Sequence, residues 1–220
     1  MSTTHKTLRG PRGAVILVTD KGLARDPDLG NKIDRAVFPG LQGGPHDNVT
    51  AAIAVALKEA ARPEFRTYAR QIVLNAKILA QTLLAAGIRL TTGGTDNHLM
   101  VVDLRPLGLS GNVVAEALET ANIVVNRNSV PHDTSPPFYP SGIRLGTPAV
   151  TSRGMTEREM PQIGQWITEV IAEVGDYRMP ENKSDRPAFL KRIKSELSRN
   201  RKLSAIAGNV KRMCARFPVV

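Results

Sequence analysis

The stretch G-I-R-L-T-T-G-G-T-D-N-H-L-M-V-V-D-L, residues 87–104, decides the fold class. Ile88–Thr92 and His98–Leu104 are dense in aliphatic and β-branched residues, and Gly93-Gly94-Thr95-Asp96 between them is a turn signal. The spacing predicts two strands joined by a turn. Upstream, Glu64–Ala86 carries Ile72, Leu79 and Leu83 on one helical stripe and stops at Gly87, a residue suited to the left-handed position that closes a helix. Downstream, Asn112–Thr120 reads as helix, Ile123–Asn126 as strand, Ser129–Ser141 as a Pro-rich loop and Ile143–Leu145 as a short strand. Thr156–Val174 reads as a helix opened by the capping box Thr156-Glu157-Arg158-Glu159. Two further helices are expected near 186–201 and 203–216. Helices alternating with short strands predict an α/β fold.

Toward the N-terminus, Ala14–Thr19 (A-V-I-L-V-T) reads as a buried strand and Asp26-Pro27-Asp28 begins a turn. Asp34–Gly44 is too rich in Gly and Pro for regular structure. Asn48–Ala61 reads as a helix capped by Asn48 or Thr50, with Pro63 just beyond its end. The chain is therefore read in three parts: 1–62, a connecting helix 63–87, and a compact α/β domain 88–220.

The chain has 220 residues, 41% of them hydrophobic, enough for a buried core, and 23% charged, which argues against disorder. No apolar run approaches the length of a membrane span; the Ala-rich Ala51–Leu57 is among the longest. The opening residues lack the apolar segment of a secretory leader, so a cytoplasmic location is expected. The single cysteine, Cys214, excludes an intrachain disulfide framework and any multi-Cys zinc site. His98 and His132 lack ligand spacing, so no metal is expected, and each reads as a hydrogen-bonding residue of the core or a loop. The net charge of +10 is local: Arg178–Val220 holds 12 Lys and Arg against 3 Asp and Glu, and the rest holds 18 against 17. Such a segment can bind polyanions, and a basic nucleic-acid-binding module is the unrelated alternative. However, Phe189, Leu190, Ile193 and Leu197 recur at helical spacing among the cations, and stacking aromatics are sparse there, so a packed helix with a solvated face is the preferred reading.

Three places carry residues suited to chemistry. Lys6, between His5 and Thr7-Leu8-Arg9-Gly10-Pro11-Arg12-Gly13, is a nucleophile candidate, because neighbouring cations lower a lysine pKa; a terminal Lys is more often a solvated charge. Phe38-Pro39-Gly40-Leu41-Gln42-Gly43-Gly44-Pro45-His46 offers consecutive backbone N–H groups ahead of a helix, which suits a phosphate; a plain turn is the competing reading. Ser141-Gly142-Ile143-Arg144-Leu145-Gly146 places an Arg on a short strand between glycines, ready to fork onto a carboxylate, or equally to form a structural ion pair.

In this order, these segments resemble the serine hydroxymethyltransferase family. The resemblance rests on T-T-H-K-T-L-R-G-P-R-G, A-V-F-P-G-L-Q-G-G-P-H, A-A-I-A-V-A-L-K-E-A, G-G-T-D-N-H-L-M-V-V-D-L, N-R-N-S-V-P and S-G-I-R-L-G-T-P-A-V-T, and C-A-R-F-P-V resembles the family's ending. It implies the C-terminal part of a fold-type-I pyridoxal-phosphate transferase, with 1–62 from the large cofactor-binding domain and 88–220 as the small domain. It further implies that Lys6 bears pyridoxal phosphate covalently, that His5 beside it bears on reaction specificity, and that Arg144 binds the substrate carboxylate. Gly43 and Gly44 would meet the cofactor phosphate across a dimer interface. Asn128 and Pro136-Pro137-Phe138 would face tetrahydrofolate; the family often has Ser where this chain has Pro136. The implied reaction interconverts serine and glycine, with the one-carbon unit passing to tetrahydrofolate. Another fold-type-I enzyme, such as an aminotransferase, is the runner-up chemistry.

Family members carry a stretch of comparable length upstream of the lysine, holding further cofactor and folate ligands. The resemblance therefore leads to the expectation that this chain alone is inactive. It would be half of a split enzyme completed by an N-terminal half, a truncated copy, or a remnant that binds a subunit of the complete enzyme. The strand Ala14–Thr19 is expected to lack neighbours and to expose apolar surface.

Overall fold

The structure, a computed structural model, describes residues 1–219. It divides into two compact units, Met1–Thr67 and the chain from Tyr68 onward. In the first unit Ser2–Thr3 (β1) pairs antiparallel with Ala14–Val15 (β2). Three helices follow: Asp20–Arg25 (α1), Leu29–Arg35 (α2) and Asp47–Ala60 (α3). Thr19 caps α1 by accepting the Gly22 N–H.

The structure corrects three readings in this unit. The run Ala14–Thr19 pairs only over its first two residues, and Ile16 and Leu17 beyond them are 44% and 78% exposed. A β-rich apolar run makes a strand only where a neighbour completes its ladder, and among the described residues β1 is the only strand beside it. The segment Asp34–Gly44 is regular only at its start: α2 runs through Arg35, and the turn at Ala36–Leu41 is broken by extended backbone at Phe38 (φ −133°, ψ 126°). Finally, α3 starts behind His46, so Asn48 and Thr50 lie inside the helix and cap nothing; the Thr50 hydroxyl donates back to the His46 carbonyl at 3.4 Å.

The second unit is built on Pro63–Ala85 (α4), whose first turn belongs to the first unit. The predicted stripe is buried, at Ile72, Leu79 and Leu83, and Asn75 lies within it. Gly87 has φ +78°, and the Ile88 N–H reaches the Leu83 carbonyl at 3.0 Å, the bonding of a glycine-closed helix end. There follow Leu99–Asp103 (β3), Gly111–Thr120 (α5), Asn126–Asn128 (β4), Gly142–Gly146 (β5), Pro148–Ser152 (α6), Met160–Glu173 (α7), Arg186–Leu197 (α8) and Arg201–Arg216 (α9). The sheet order is β3-β5-β4, antiparallel throughout, with Val101 and Asn126 both opposite Arg144. One sheet face turns Met100, Val102, Ile143 and Leu145 into the core, where they join Val113, Val114 and Leu118 of α5 and Ile167 and Val170 of α7. Ile193 and Leu197 of α8 and Leu203 and Ile206 of α9 are buried in the same cluster, so the basic C-terminal segment is packed helix.

Four details differ from the sequence reading here. Ile88–Thr92 makes a single bridge, Leu90 to Val102, before the positive-φ residues Gly93 and Gly94 turn the chain away. The third strand is Asn126–Asn128 rather than Ile123–Asn126, since Asn122 at φ +62° closes α5 and the next three residues reach the sheet edge unpaired. The helix after Gly154 begins at Met160; the capping Glu159 still accepts the Thr156 N–H at 2.8 Å, one turn earlier. His98 and His132 are both exposed loop residues, so the core alternative falls and the loop alternative stands.

Buried Asn75 ties α4 to the segment after β5. Its Nδ2 donates to Thr151 Oγ1 at 2.8 Å and to the Met155 carbonyl at 3.0 Å, and its Oδ1 accepts from Gln71 at 2.8 Å. Thr147 adds a bond from Oγ1 to the Ile72 carbonyl at 2.8 Å. Truncation of a fully paired buried amide leaves its partners unsatisfied in the core. Asn75→Ala is therefore expected to destabilise the chain by about 2–3 kcal/mol. Half-buried Gln71→Ala takes the donor from the buried Asn75 Oδ1 and should cost about 1–2 kcal/mol. Urea unfolding checks both, as a lowered midpoint at unchanged slope.

Candidate functional site

Lys6 sits in a hairpin built by backbone bonds. The Thr4 N–H reaches the Gly13 carbonyl at 3.0 Å, the Gly10 N–H reaches Thr4 at 2.8 Å, and the Arg9 N–H reaches the Lys6 carbonyl at 2.8 Å. Thr4, almost wholly buried, adds a bond from its hydroxyl to the Pro11 carbonyl at 2.7 Å. The hairpin lies close on α3: a Cβ at Gly10 would stand 3.0 Å from Ala56 Cβ, and one at Gly13 would stand 2.9 Å from Ile53. At Gly10 a Cβ would also press the Thr4 carbonyl at 3.0 Å, whereas at Gly13 it would meet the movable end of the Ile53 side chain. Lys6 is exposed and makes no ion pair among the described residues. His5 beside it is half-buried, and its buried Nδ1 has no hydrogen-bond partner among the described residues. Gly43 and Gly44 are exposed in the loop before α3, and a Cβ at either would meet nothing within 4 Å. No hydrogen bond among the described residues joins them to the lysine hairpin.

In the second unit Arg144 stands on the central strand and points away from the core. Residues alternate along β5, so its face carries Gly142, Arg144 and Gly146. Register then places Asn126 and Asn128 on that face from one side, and Val101 and Asp103 from the other. Arg144 is exposed; its Nη2 donates to Asn126 Oδ1 at 3.1 Å, and among the described residues no carboxylate pairs with it. Of the two readings of this arginine, the geometry lacks the structural ion pair. The Asp103 carboxylate on the same face, 1% exposed, is held by Arg105 through Nε at 2.9 Å and Nη2 at 2.8 Å, with Arg89 at 3.5 Å. The side-chain bonds from Arg105 keep the Asp103 carboxyl below the usual carboxylate range despite its burial.

Asn128 is half-buried and donates to the Ser129 carbonyl at 2.6 Å. Pro136, Pro137 and Phe138 lie in the loop between β4 and β5, where the Tyr139 N–H closes a turn on the Pro136 carbonyl at 2.8 Å and Phe138 is 84% exposed. Asp133 organises this loop. Its carboxylate accepts from the Ser141 N–H at 2.9 Å, the Ser141 hydroxyl at 2.8 Å, the Ser135 N–H at 3.0 Å and the Val130 N–H at 3.3 Å. Burial pushes the Asp133 carboxyl up, but the bonds from Ser141, Ser135 and Val130 together outweigh it and leave the group below its ordinary range. Sequence reasoning passed over Asp133, Asp103, Asn126 and Asn75. Asp133 had a signal, since an Asp with Ser two residues on in a Pro-rich loop is a side-chain-to-backbone turn former. Among the described residues no cluster is placed to hold a metal ion, and no helix is long and apolar enough to cross a membrane.

Comparison with known proteins bears on this arrangement. The family description "Serine hydroxymethyltransferase" matches residues 1–167, a span that contains every residue discussed above as a site candidate. The chain is 60% identical over 173 residues to serine hydroxymethyltransferase of Acidothermus cellulolyticus, covering 79% of this chain and 39% of that protein. It is 56% identical over 175 residues to the Sorangium cellulosum protein of the same name (80% and 40%), and 52% identical over 180 residues to that of Methanospirillum hungatei (82% and 42%). The fold class is that of an α/β fold-type-I pyridoxal-phosphate transferase, as expected. Within that class, the chain belongs to the serine hydroxymethyltransferase family. It spans about two fifths of the length of the relatives it matches.

The Asp133 cluster makes a prediction about acid. Its carboxyl binds a proton more weakly folded than unfolded, so in the window where it titrates the unfolded chain holds more protons and stability rises with pH. The contribution is complete above the unfolded pKa, about 4, and is lost as pH falls through the lower folded value. Asp133→Asn should cost about 1–3 kcal/mol at neutral pH, because one amide oxygen replaces two carboxylate oxygens. It should also flatten the loss of stability below pH about 4. Urea midpoints measured at neutral pH and in acid check both effects.

Proposed function

We propose that this chain is the lysine-bearing and carboxylate-binding part of a pyridoxal-phosphate enzyme that interconverts serine and glycine, with tetrahydrofolate taking the one-carbon unit. The observation that carries this reading is family membership across the span that holds Lys6 and Arg144. The residues also fit the cofactor. Lys6 is an exposed primary amine that makes no ion pair among the described residues, next to an imidazole whose buried Nδ1 meets no partner among them. Gly43 and Gly44 offer open backbone with no side chain to block a phosphate.

In this reading Lys6 would hold the aldehyde carbon of pyridoxal phosphate, and Gly43 and Gly44 would meet the phosphate across a dimer interface. When bound, the cofactor supplies an electron sink for the carbanion left when the bond between Cα and Cβ breaks. Arg144 forks onto the substrate carboxylate and fixes the amino acid's orientation, so that the bond to be broken is chosen by position. His5 stands beside the lysine to hold or move a proton. Asn128 and the turn at Pro136, Pro137 and Phe138 face the folate, with Phe138 offering an exposed ring for stacking. The part of the relatives not matched by this chain carries the rest of the reaction's machinery. A homodimer, or a complementing polypeptide, fits the exposed apolar surface of the first unit, where Leu17, Val55 and Leu57 are 78%, 58% and 41% exposed. A cytoplasmic location accords with this chemistry.

Borohydride reduction in the presence of pyridoxal phosphate, followed by peptide mapping, tests the cofactor assignment. The label is expected on Lys6 and lost in Lys6→Ala; a label spread over surface lysines would overturn it. The 220-residue polypeptide alone should show little serine turnover, and a second polypeptide supplying the remaining portion of a relative should restore it. Ordinary turnover by the chain alone would contradict the requirement for that portion.

A further inference from the structure

Arg144 stands on its sheet face with its guanidinium resting on a neutral acceptor. Asn126 lies opposite it on β4, and the contact is a single bond from Nη2 to Oδ1 of 3.1 Å. An asparagine carbonyl orients a guanidinium without cancelling its charge, whereas a carboxylate would do both. The rest of the face keeps the charge uncancelled as well. Asp103, opposite Gly142 and so diagonal to Arg144, is committed to Arg105 and Arg89. Gly142 and Gly146, on either side of Arg144 along the same face, put no side chain over its flanks.

We infer that Asn126 is a positioning residue for Arg144: its side-chain carbonyl holds one edge of the guanidinium and leaves the other edge, with full charge, for a carboxylate. The inference rests on the reading of Arg144 as the carboxylate site and adds to it the residue that sets its aim. Asn, rather than Asp, is required at position 126, since Asp would form an intrachain ion pair that competes with the substrate.

The test uses the full chain, phenylglyoxal as a guanidinium reagent, and sodium acetate as the simplest carboxylate, with equal sodium chloride as control. Peptide mapping follows the adduct on Arg144. In the parent chain acetate should slow modification of Arg144 and chloride should not. Asn126→Asp should slow modification several-fold without acetate and abolish acetate protection. Asn126→Ala should keep Arg144 reactive while raising the acetate concentration for half protection about three- to tenfold. Asn126 is exposed, so both variants should melt like the parent by circular dichroism. A purely structural role would not separate Asp from Ala. Equal protection in all three chains would overturn the role of Asn126 and leave the Arg144 reading intact. Absence of acetate protection in the parent chain would overturn the Arg144 reading, and this inference with it.

Discussion

The second unit depends on a polar clamp inside an apolar core. Asn75 is wholly buried on the inner stripe of α4, among Ile72, Ala76 and Leu79. A carboxamide in that position is tolerable only when both its ends are bonded, and here Gln71, Thr151 and Met155 meet that demand. The same bonds fix α6 against α4, and Thr147 fastens the end of β5 to the Ile72 carbonyl. Apolar contact alone lets a helix slide by fractions of a turn; directional bonds of this kind do not. Arg144 stands three residues before Thr147 on β5, so the strand that presents it inherits its position from this clamp. Gly142 at the other end of the strand is equally constrained, since a Cβ there would stand 2.6 Å from the Val102 carbonyl.

The first unit is held by different means. Its only buried apolar residue is Ala56, and α1 and α2 bury none. What shapes the lysine hairpin is backbone bonding around Thr4 and the close seating of Gly10 and Gly13 on α3. A segment with so little core gains little from hydrophobic burial, and small units of this kind need a partner surface for stability. The apolar side chains that remain open along Ala14–Thr19 and α3 are of the type that such a surface covers.

Much of this was legible in the sequence, and the misses share a cause. Long periodic elements were read well: the α4 stripe with its Gly87 closure, α5, and the two basic C-terminal helices. Their signal lies within one segment, where a 3.6-residue period and a terminal residue suffice. Strand limits were read poorly, because pairing depends on what lies alongside. Ile88–Thr92 and Ala14–Thr19 have the composition of strands and nearly no ladder. Lys6 and Arg144 stood out through motif resemblance, but the residues that set their surroundings did not. Asp103, Asp133 and Asn75 act through partners from 2 to 80 positions away, and no local pattern announces such pairings.

The arginines of the second unit differ in how far the fold engages their donors. Arg153 spends its Nε and Nη2 on the Phe217 and Cys214 carbonyls, closing the end of α9. Arg105 spends its fork on Asp103 and a further bond on the His132 carbonyl at 3.3 Å. Each has its donors matched to acceptors within the fold, and each thereby joins elements distant in sequence or shapes a turn. Arg144 has the same chemistry on the central strand and a single neutral acceptor. Five N–H donors on a rigid fork call for more than one partner. On the proposed reading, with Asp103 on the same face already paired to Arg105 and Arg89, Arg144 is left for an anion from outside the unit.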